Sequence, residues 1–525
     1  MMSILGNLIK GASKIAENKK NKNQLNQGDA DQQQLRTLTD LLGKAQNTEF
    51  GTTYDFEEIL KSDDPRQEFR NRVPIFQYDY MFQKFWHKTL NGVKDVSWPG
   101  KISNFALTSG TTNSASKRIP VSEEMIKSIK KTCLNQILTL NKMDLPSNFY
   151  SKKVLCVGGS TALSQIRDQK EGDLSGILTG RVPSWLNPFT KPNKKIRAIE
   201  DWEEKLEEIV RNAPKWDIGI ICGVPSWILV LIKRINEYYE TDDIFSIWPN
   251  LKFYIHGGVS FDPYISNFNS LFDERVVYLD TYLASEGFIA YQPCDSDELE
   301  LILNNGIYYE FIPFNSESFD NDGNLLNYQD SYLLSEIHEN VEYALLISTN
   351  SGAFRYLIGD TIKFSNLNKL KFKITGRTKH FLSLCGEHLS VDNMTQAITE
   401  LSIEKGITID EFAVCGKQTV AENFIHHWYI ACDSPINSLN FKYDLDQKLR
   451  SLNTDYHIER SFALEDIKVD ILPTKIFYDF LKLKDKYGSQ HKFPRVLKGK
   501  LAKDWCNYLE VLKEELPNDH LSRRF

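Results

Sequence analysis

Between residues 35 and 375, short apolar runs rich in β-formers alternate with segments whose apolar residues recur at helical spacing. The runs 153–159 (KVLCVGG), 251–258 (LKFYIHGG), 276–283 (VVYLDTYL), 306–313 (GIYYEFIP) and 343–348 (YALLIS) predict strands. The stretch IKSIKKTCLNQIL predicts a helix between the first apolar runs. Interleaving of this kind predicts an α/β fold, a large N-terminal body of sheets covered by helices. After residues 374–390 (ITGRTKHFLSLCGEHLS) the pattern changes. A helix over DNMTQAITELSIEKG precedes strands EFAVCGKQ and FIHHWYIACD and then further helices, which predicts a smaller α+β C-terminal domain. The expected division is 1–34, an N-terminal amphipathic helix and polar linker; 35–376, the large domain; 377–390, a hinge; and 391–525, a mobile small domain.

At the N-terminus Ile4, Leu5, Leu8, Ile9, Ala12, Ile15 and Ala16 share one helical face, which can pack on the body of the protein or lie on a membrane surface. Residues 17–34 are polar and aperiodic and read as a mobile linker or exposed loop. The longest apolar run, 218–232, contains Pro225 and falls short of the ~20 residues a spanning helix needs, so no stable membrane insertion is expected. The chain carries 63 basic and 70 acidic residues, a net charge of −7. That balance argues against a nucleic-acid partner, which wants a basic footprint. Eight scattered cysteines without a C-x-x-C pair exclude a disulfide framework or zinc ribbon, and free thiols suit a reducing cytoplasm.

Four short motifs carry candidate chemistry. In 105–120 (FALTSGTTNSASKRIP) the small and hydroxyl residues Thr108, Ser109, Gly110, Thr111 and Thr112 let backbone amides approach an anion, and Lys117 can place a charge on a phosphate. The run lacks the second glycine of G-x-x-x-x-G-K-[ST], and alone it reads equally as a turn. YLASEG follows a predicted strand, where ligands of α/β folds bind; Tyr282 could stack on a purine and Glu286 could hold Mg²⁺, or the segment is a surface loop. FRYLIGD ends in Asp360, a carboxylate that can accept from both ribose hydroxyls or simply close a β-turn. GRTKH offers Arg377, for a nucleotide or for a surface ion pair. The paired His426–His427 in a β-like run read as structural, since no serine accompanies them as a triad.

In this order and spacing the motifs resemble the ANL adenylate-forming enzymes. Within that superfamily they resemble the Gretchen Hagen (auxin-responsive promoter) acyl acid–amido synthetases, as do CGVPSWILVLI, LDQKLRSLNTDY and QHKFPR. The resemblance implies a large adenylate-forming domain with a smaller mobile lid. It also implies ATP and Mg²⁺ as cofactors, and a small carboxylic acid and an amine, such as an amino acid, as substrates. By resemblance, Thr108, Ser109, Gly110, Thr111 and Thr112 would cradle the β- and γ-phosphates, and Gly257 and Gly258 would lie along adenine with Tyr282 stacked on it. Ser285 would touch the α-phosphate, Glu286 would hold Mg²⁺, Asp360 would bind the ribose with Arg377 beside it, and Lys379 would be the hinge pivot. Lys492 would neutralise the α-phosphate, with Lys498 and Lys500 as competing positions. The acyl pocket would be walled by Val224 and Trp227, although Trp227 also reads as plain core. An acyl-CoA ligase with the same adenylate intermediate, or a nucleotide-binding regulator without turnover, remain the alternatives.

Overall fold

The computed structural model describes residues 10–11, 27–108, 117–182, 186–259, 261, 264–272, 275–320, 323–326, 330–378, 382, 384, 387, 389–418, 424–453, 456–457, 460, 464–484 and 493–515. The hairpin β1 (Asn104–Leu107) and β2 (Arg118–Val121) is followed by β3 (Lys153–Cys156), then by β4 (Ser164–Ile166) and β5 (Gln169–Gly172). Next come β6 (Thr190–Lys191), β7 (Ile218–Cys222), β8 (Phe253–Gly257) and β9 (Val277–Ala284). The large domain is completed by β10 (Gly287–Tyr291), β11 (Leu299–Leu301), β12 (Ile307–Pro313), β13 (Glu342–Thr349), β14 (Tyr356–Asn366) and β15 (Lys371–Arg377).

Among the described residues these strands form a four-stranded sheet, β2-β1-β5-β4, and an eleven-stranded sheet, β12-β13-β14-β15-β11-β10-β9-β8-β7-β3-β6. Strands β6, β3, β7, β8 and β9 pair in parallel. From β9 onward, through β10, β11, β15, β14, β13 and β12, every pairing is antiparallel. Strand β9 is therefore the line along which the sheet changes character. The central parallel strands β7 and β8 are buried along most of their length and carry mainly apolar residues, as strands covered on both faces do.

Local chemistry explains the helices that flank this line. Helix Glu123–Thr139 starts at Ser122, whose Oγ accepts from the Met125 N–H (3.0 Å), with Glu123 and Glu124 in the first turn. Pro225 breaks the long apolar run into β7 and helix Pro225–Tyr238, because proline fits the first turn of a helix and not the middle of a strand. In the small domain, helix Val391–Lys405 is capped by Ser390 and ended by Gly406 at φ +60°. Strands β16 (Glu411–Gln418), β17 (Phe424–Ala431), β18 (Leu464–Leu472) and β19 (Val496–Leu497) form its mixed sheet, in the order β18-β17-β16-β19. The strands and helices expected from periodicity beyond residue 125 appear, most with ends within about two residues, while Ile4, Leu5, Leu8, Ile9, Ala12, Ile15 and Ala16 of the expected N-terminal helix lie outside the described residues.

One expectation is corrected. Residues 27–34, read as linker, are the first two turns of helix Gln27–Ala45. The helix lies against β12, the edge strand of the large sheet. Gln34 is buried, its Oε1 accepts from the Tyr309 N–H (2.8 Å) and its Nε2 donates to the Ile307 carbonyl (3.3 Å). A glutamine here does the work of another strand, satisfying an edge that would otherwise expose backbone groups. A polar residue with a buried job looks like a linker residue when only composition is read.

Candidate active site

The site assembles where β9 turns from parallel to antiparallel company, the kind of crevice in which α/β sheets bind ligands. Four pieces of chain meet there. The carboxyl end of β8 contributes Gly257 and Gly258. A Cβ on Gly257 would lie 2.4 Å from both the carbonyl oxygen and Oγ1 of Thr281, so only glycine lets β8 and β9 approach this closely. Gly258 sits at φ +83°, a left-handed conformation that glycine adopts without strain. Strand β9 and its turn into β10 contribute Tyr282, Ser285 and Glu286. Asp360 and Arg377 pair directly across β14 and β15. The β1–β2 hairpin contributes Thr108, whose N–H donates to the Lys117 carbonyl (3.1 Å) and closes the neck of the segment between them.

The charged groups at this place are tied together. Asp360 Oδ1 accepts from Arg377 Nε (2.7 Å) and its Oδ2 from the Tyr282 hydroxyl (2.5 Å). The Asp360 carboxylate raises the Arg377 guanidinium above its ordinary value. Burial, with the Asp360 charge behind it, pushes the Tyr282 phenol well above its ordinary value, so it stays a donor. Glu286 is buried, and desolvation pushes its carboxyl up to about 7. The Asp360 charge adds to that rise, while the Lys117 and Arg377 cations oppose it. Lys117 lies over the Tyr78 ring, 5.3 Å from its centroid, and the Tyr78 hydroxyl accepts from the Arg118 N–H (2.8 Å).

Among the described residues no cluster of three metal-ligating side chains forms. A lone buried carboxylate, disfavoured as an anion and close to a second one, nevertheless fits a hard divalent cation that takes its remaining ligands from phosphates and water. Thus Thr108, Lys117, Gly257, Gly258, Tyr282, Ser285, Glu286, Asp360 and Arg377 lie on the elements that frame this crevice. Ser109, Gly110, Thr111, Thr112, Lys379 and Lys492 lie outside the described residues. Lys500 is exposed in the first turn of helix Gly499–Glu515, with Lys498 just ahead of it.

Two expectations change. Tyr282 is 6% exposed, and its hydroxyl is committed to Asp360, so it orients the carboxylate and offers no open ring face for stacking in this arrangement. Trp227 is buried and meets Trp202 edge-on with centroids 4.9 Å apart. It belongs to the core of the helix layer over the parallel strands rather than to a pocket wall; Val224, half-buried, immediately precedes that helix. The two histidines point to opposite faces of β17. His426 meets Glu387 (2.8 Å), and His427 meets Asp470 (2.8 Å), both as structural contacts.

Sequence reasoning missed the residue that anchors the strand carrying Asp360. Arg355, fully buried, donates through Nε to Glu310 (3.2 Å) and through a terminal nitrogen to the Arg70 (2.9 Å) and Val73 (2.7 Å) carbonyls. The FRYLIGD motif contains this arginine, but its partners lie 45 and more than 280 residues away.

Comparison with known proteins fixes the family. Models of the GH3 family match the chain as its N-terminal domain over residues 20–162 and 147–277, its central domain over 300–377 and its C-terminal domain over 392–500. The chain belongs to the GH3 family. It is 21% identical over 542 aligned positions to the indole-3-acetic acid-amido synthetase GH3.4 of Arabidopsis thaliana, with 89% of each chain covered. The GH3.15 acyl acid amido synthetase structure superposes with a TM-score of 0.75 at 15% identity, covering 96% of each chain. A 2-hydroxyisobutyryl-CoA ligase in its postadenylation state superposes with a TM-score of 0.58 at 12% identity, covering 92% of this chain and 91% of that one. At these identities the superpositions establish the fold, a large α/β domain followed by a smaller one. No helix among the described residues is long and apolar enough to cross a membrane.

Proposed function

We propose that this GH3 chain is an ATP-dependent carboxylate–amine ligase that works through an acyl-adenylate. The observation that carries the reading is the convergence of Glu286, Asp360, Arg377 and Lys117 on the crevice beside β9, in a chain of this family. A carboxylate does not react with an amine in water, because hydroxide is a poor leaving group. In the first half-reaction the carboxylate oxygen attacks the α-phosphorus of ATP, and pyrophosphate leaves. In the second, the nitrogen of an amino acid attacks the acyl carbon, AMP leaves and the nitrogen loses a proton.

The chain's own residues supply position and charge more than covalent chemistry. Asp360 takes the ribose hydroxyls on the lone pairs that Tyr282 and Arg377 leave open. Gly257 and Gly258 give the adenine a surface without side chains. Lys117 and the 109–112 segment hold the departing phosphates, and Ser285 faces the α-phosphate. Glu286 is the position for Mg²⁺, which when bound would neutralise phosphate charge. Lys492 is retained as the cation from the small domain, and Lys379 as the pivot on which that domain turns. The seven free cysteines among the described residues suit a cytoplasmic location.

Carboxylate-dependent exchange of pyrophosphate into ATP is the decisive experiment. Exchange with at least one member of a panel of acids is expected, followed by amide and AMP when amino acids are added. A thioester formed with coenzyme A and no amide would move the chain to the CoA-ligase class. Bound ATP without exchange would make it a nucleotide-binding regulator. Removing one hydroxyl tests the ribose arrangement. Tyr282→Phe should raise the KM for ATP about tenfold with little change in melting temperature, because a bond to a charged acceptor is lost and the ring stays. An unchanged KM would detach Tyr282 from nucleotide binding.

A further inference from the structure

Away from the crevice, a buried polar contact between separate parts of the chain lies where the two domains meet. Tyr264, just ahead of helix Ile265–Phe272 in the large domain, is buried, and its hydroxyl donates to Glu411 Oε1 (2.9 Å). Glu411 opens β16 of the small domain and is itself buried. Its other oxygen accepts from the Arg495 guanidinium, which also donates to the Phe412 carbonyl (3.1 Å) and lies 4.4 Å over the Phe412 ring. Beside it Asn267 Nδ2 donates to Asp410 Oδ1 (2.9 Å), and the Thr474 hydroxyl donates to Asp410 Oδ2 (2.9 Å). Two adjacent carboxylates of the small domain are thus each gripped once by the large domain and once by their own.

A seam that never opened would be better made of hydrocarbon, since burying charge costs desolvation that ion pairing only partly returns. A polar seam can part, because each group finds water again on release. The two flanks of this one also lead to the reaction. On the large-domain side the Tyr264 N–H donates to the Phe261 carbonyl (2.8 Å), and Phe261 stacks on His256 with centroids 4.0 Å apart, next to Gly257 and Gly258. On the small-domain side the Arg495 carbonyl accepts from the Val414 N–H (2.8 Å), which joins the segment just ahead of β19 to β16.

We propose that Glu411, held between Tyr264 and Arg495, is a positioning residue of the ligase reaction: it latches the small domain onto the large one in the orientation seen here and releases it when the second half-reaction needs another. This rests on the ligase reading. It goes beyond it in naming the contact that sets the balance between the two orientations.

Tyr264→Phe removes one hydroxyl from the latch, and Asn267→Ala weakens the neighbouring grip without touching Glu411. Both are made in the full chain. Small-angle scattering without nucleotide should show a larger radius of gyration in each variant, with melting temperatures close to that of the parent. Given an acid that supports exchange, the exchange rate and the rate of amide formation from preformed acyl-adenylate should move in opposite directions in Tyr264→Phe. Their ratio should shift about tenfold, the size expected for one bond to a charged acceptor. Parallel loss of both rates, or no change in either, overturns the proposal. So do scattering curves identical to the parent's. If the parent exchanges pyrophosphate with no acid, the ligase reading fails, and the scattering comparison still decides whether the latch exists.

Discussion

Replacing Glu286 with glutamine is expected to lower carboxylate-dependent pyrophosphate exchange by about a hundredfold to a thousandfold, the cost of losing one well-placed electrostatic contact to developing charge. The same variant is expected to be more stable than the parent above neutral pH. The sign follows from the raised carboxyl. In the folded chain burial pushes Glu286 up to about 7, against an ordinary value of 4.5. Below pH 4.5 both the folded and the unfolded chain hold the proton, and the buried acid carries no penalty. As the pH rises through 7 the folded chain must give up a proton that the unfolded chain lost earlier, so stability falls across that window. Glutamine is neutral throughout and escapes the loss. The gap between variant and parent should open between about pH 4.5 and 7 and level off above it at roughly 3 kcal/mol. Thermal melts at pH 5 and pH 8 read this directly, and equal shifts at the two pH values would show that Glu286 is not the group responsible. A cation ligand must be ionised, so binding of preformed Mg–ATP at pH 6.5 should release more protons from the parent than from Glu286→Gln, by a fraction of a proton per chain. Unchanged exchange in the variant would remove Glu286 from the reaction.

The conflict between stability and function at Glu286 also explains why the candidate site was partly legible from sequence. Glu286 could be picked out because its short motif follows a predicted strand, where an α/β sheet exposes its chemistry, while Asp360 and Arg377 stood out in the short motifs FRYLIGD and GRTKH; the structure places Asp360 within β14 and Arg377 at the end of β15. The centre of the sheet was legible because β7 and β8, buried along most of their length, are short runs dominated by apolar residues. What escaped is whatever depends on pairing across the chain. No local pattern tells that the Tyr282 hydroxyl will meet a carboxylate 78 residues on, which turned an expected stacking platform into an orienting donor. Trp227 lies on an apolar helix, and periodicity identifies the buried face of a helix without telling whether core or crevice lies beneath it. Gln34 was read as linker for the opposite reason, since its burial is earned by two backbone groups of an edge strand and by no apolar neighbour in sequence.

Arg355 is the largest such omission, and its loss should be the most damaging single change to the fold. Arg355→Met is expected to destabilise the large domain by about 3–5 kcal/mol, the range for breaking one side of a fully buried ion pair. Three consequences act together. The Glu310 carboxylate, equally buried, loses its guanidinium and, among the described residues, keeps the Ser331 hydroxyl, which donates to the same oxygen at 2.6 Å. The Arg70 and Val73 carbonyls lose their donors, and with them one of the ties between helix Pro65–Arg72 and the sheet. The backbone at residue 355 remains left-handed at φ +43° with less to hold it there, although its carbonyl still accepts from the Phe76 N–H (2.8 Å). Adding Glu310→Leu to Arg355→Met removes the stranded charge and should recover a substantial part of the loss, while the two orphaned carbonyls keep the double variant below the parent. Chemical denaturation of the four chains in this cycle separates the charge contribution from the carbonyl contribution. A double variant less stable than Arg355→Met alone would mean that the carboxylate is held by something other than the arginine. Since β14 begins at Tyr356 and carries Asp360, the fraction of Arg355→Met that still folds should bind ATP more weakly than the parent, whereas a purely global effect would leave the affinity of the folded fraction unchanged.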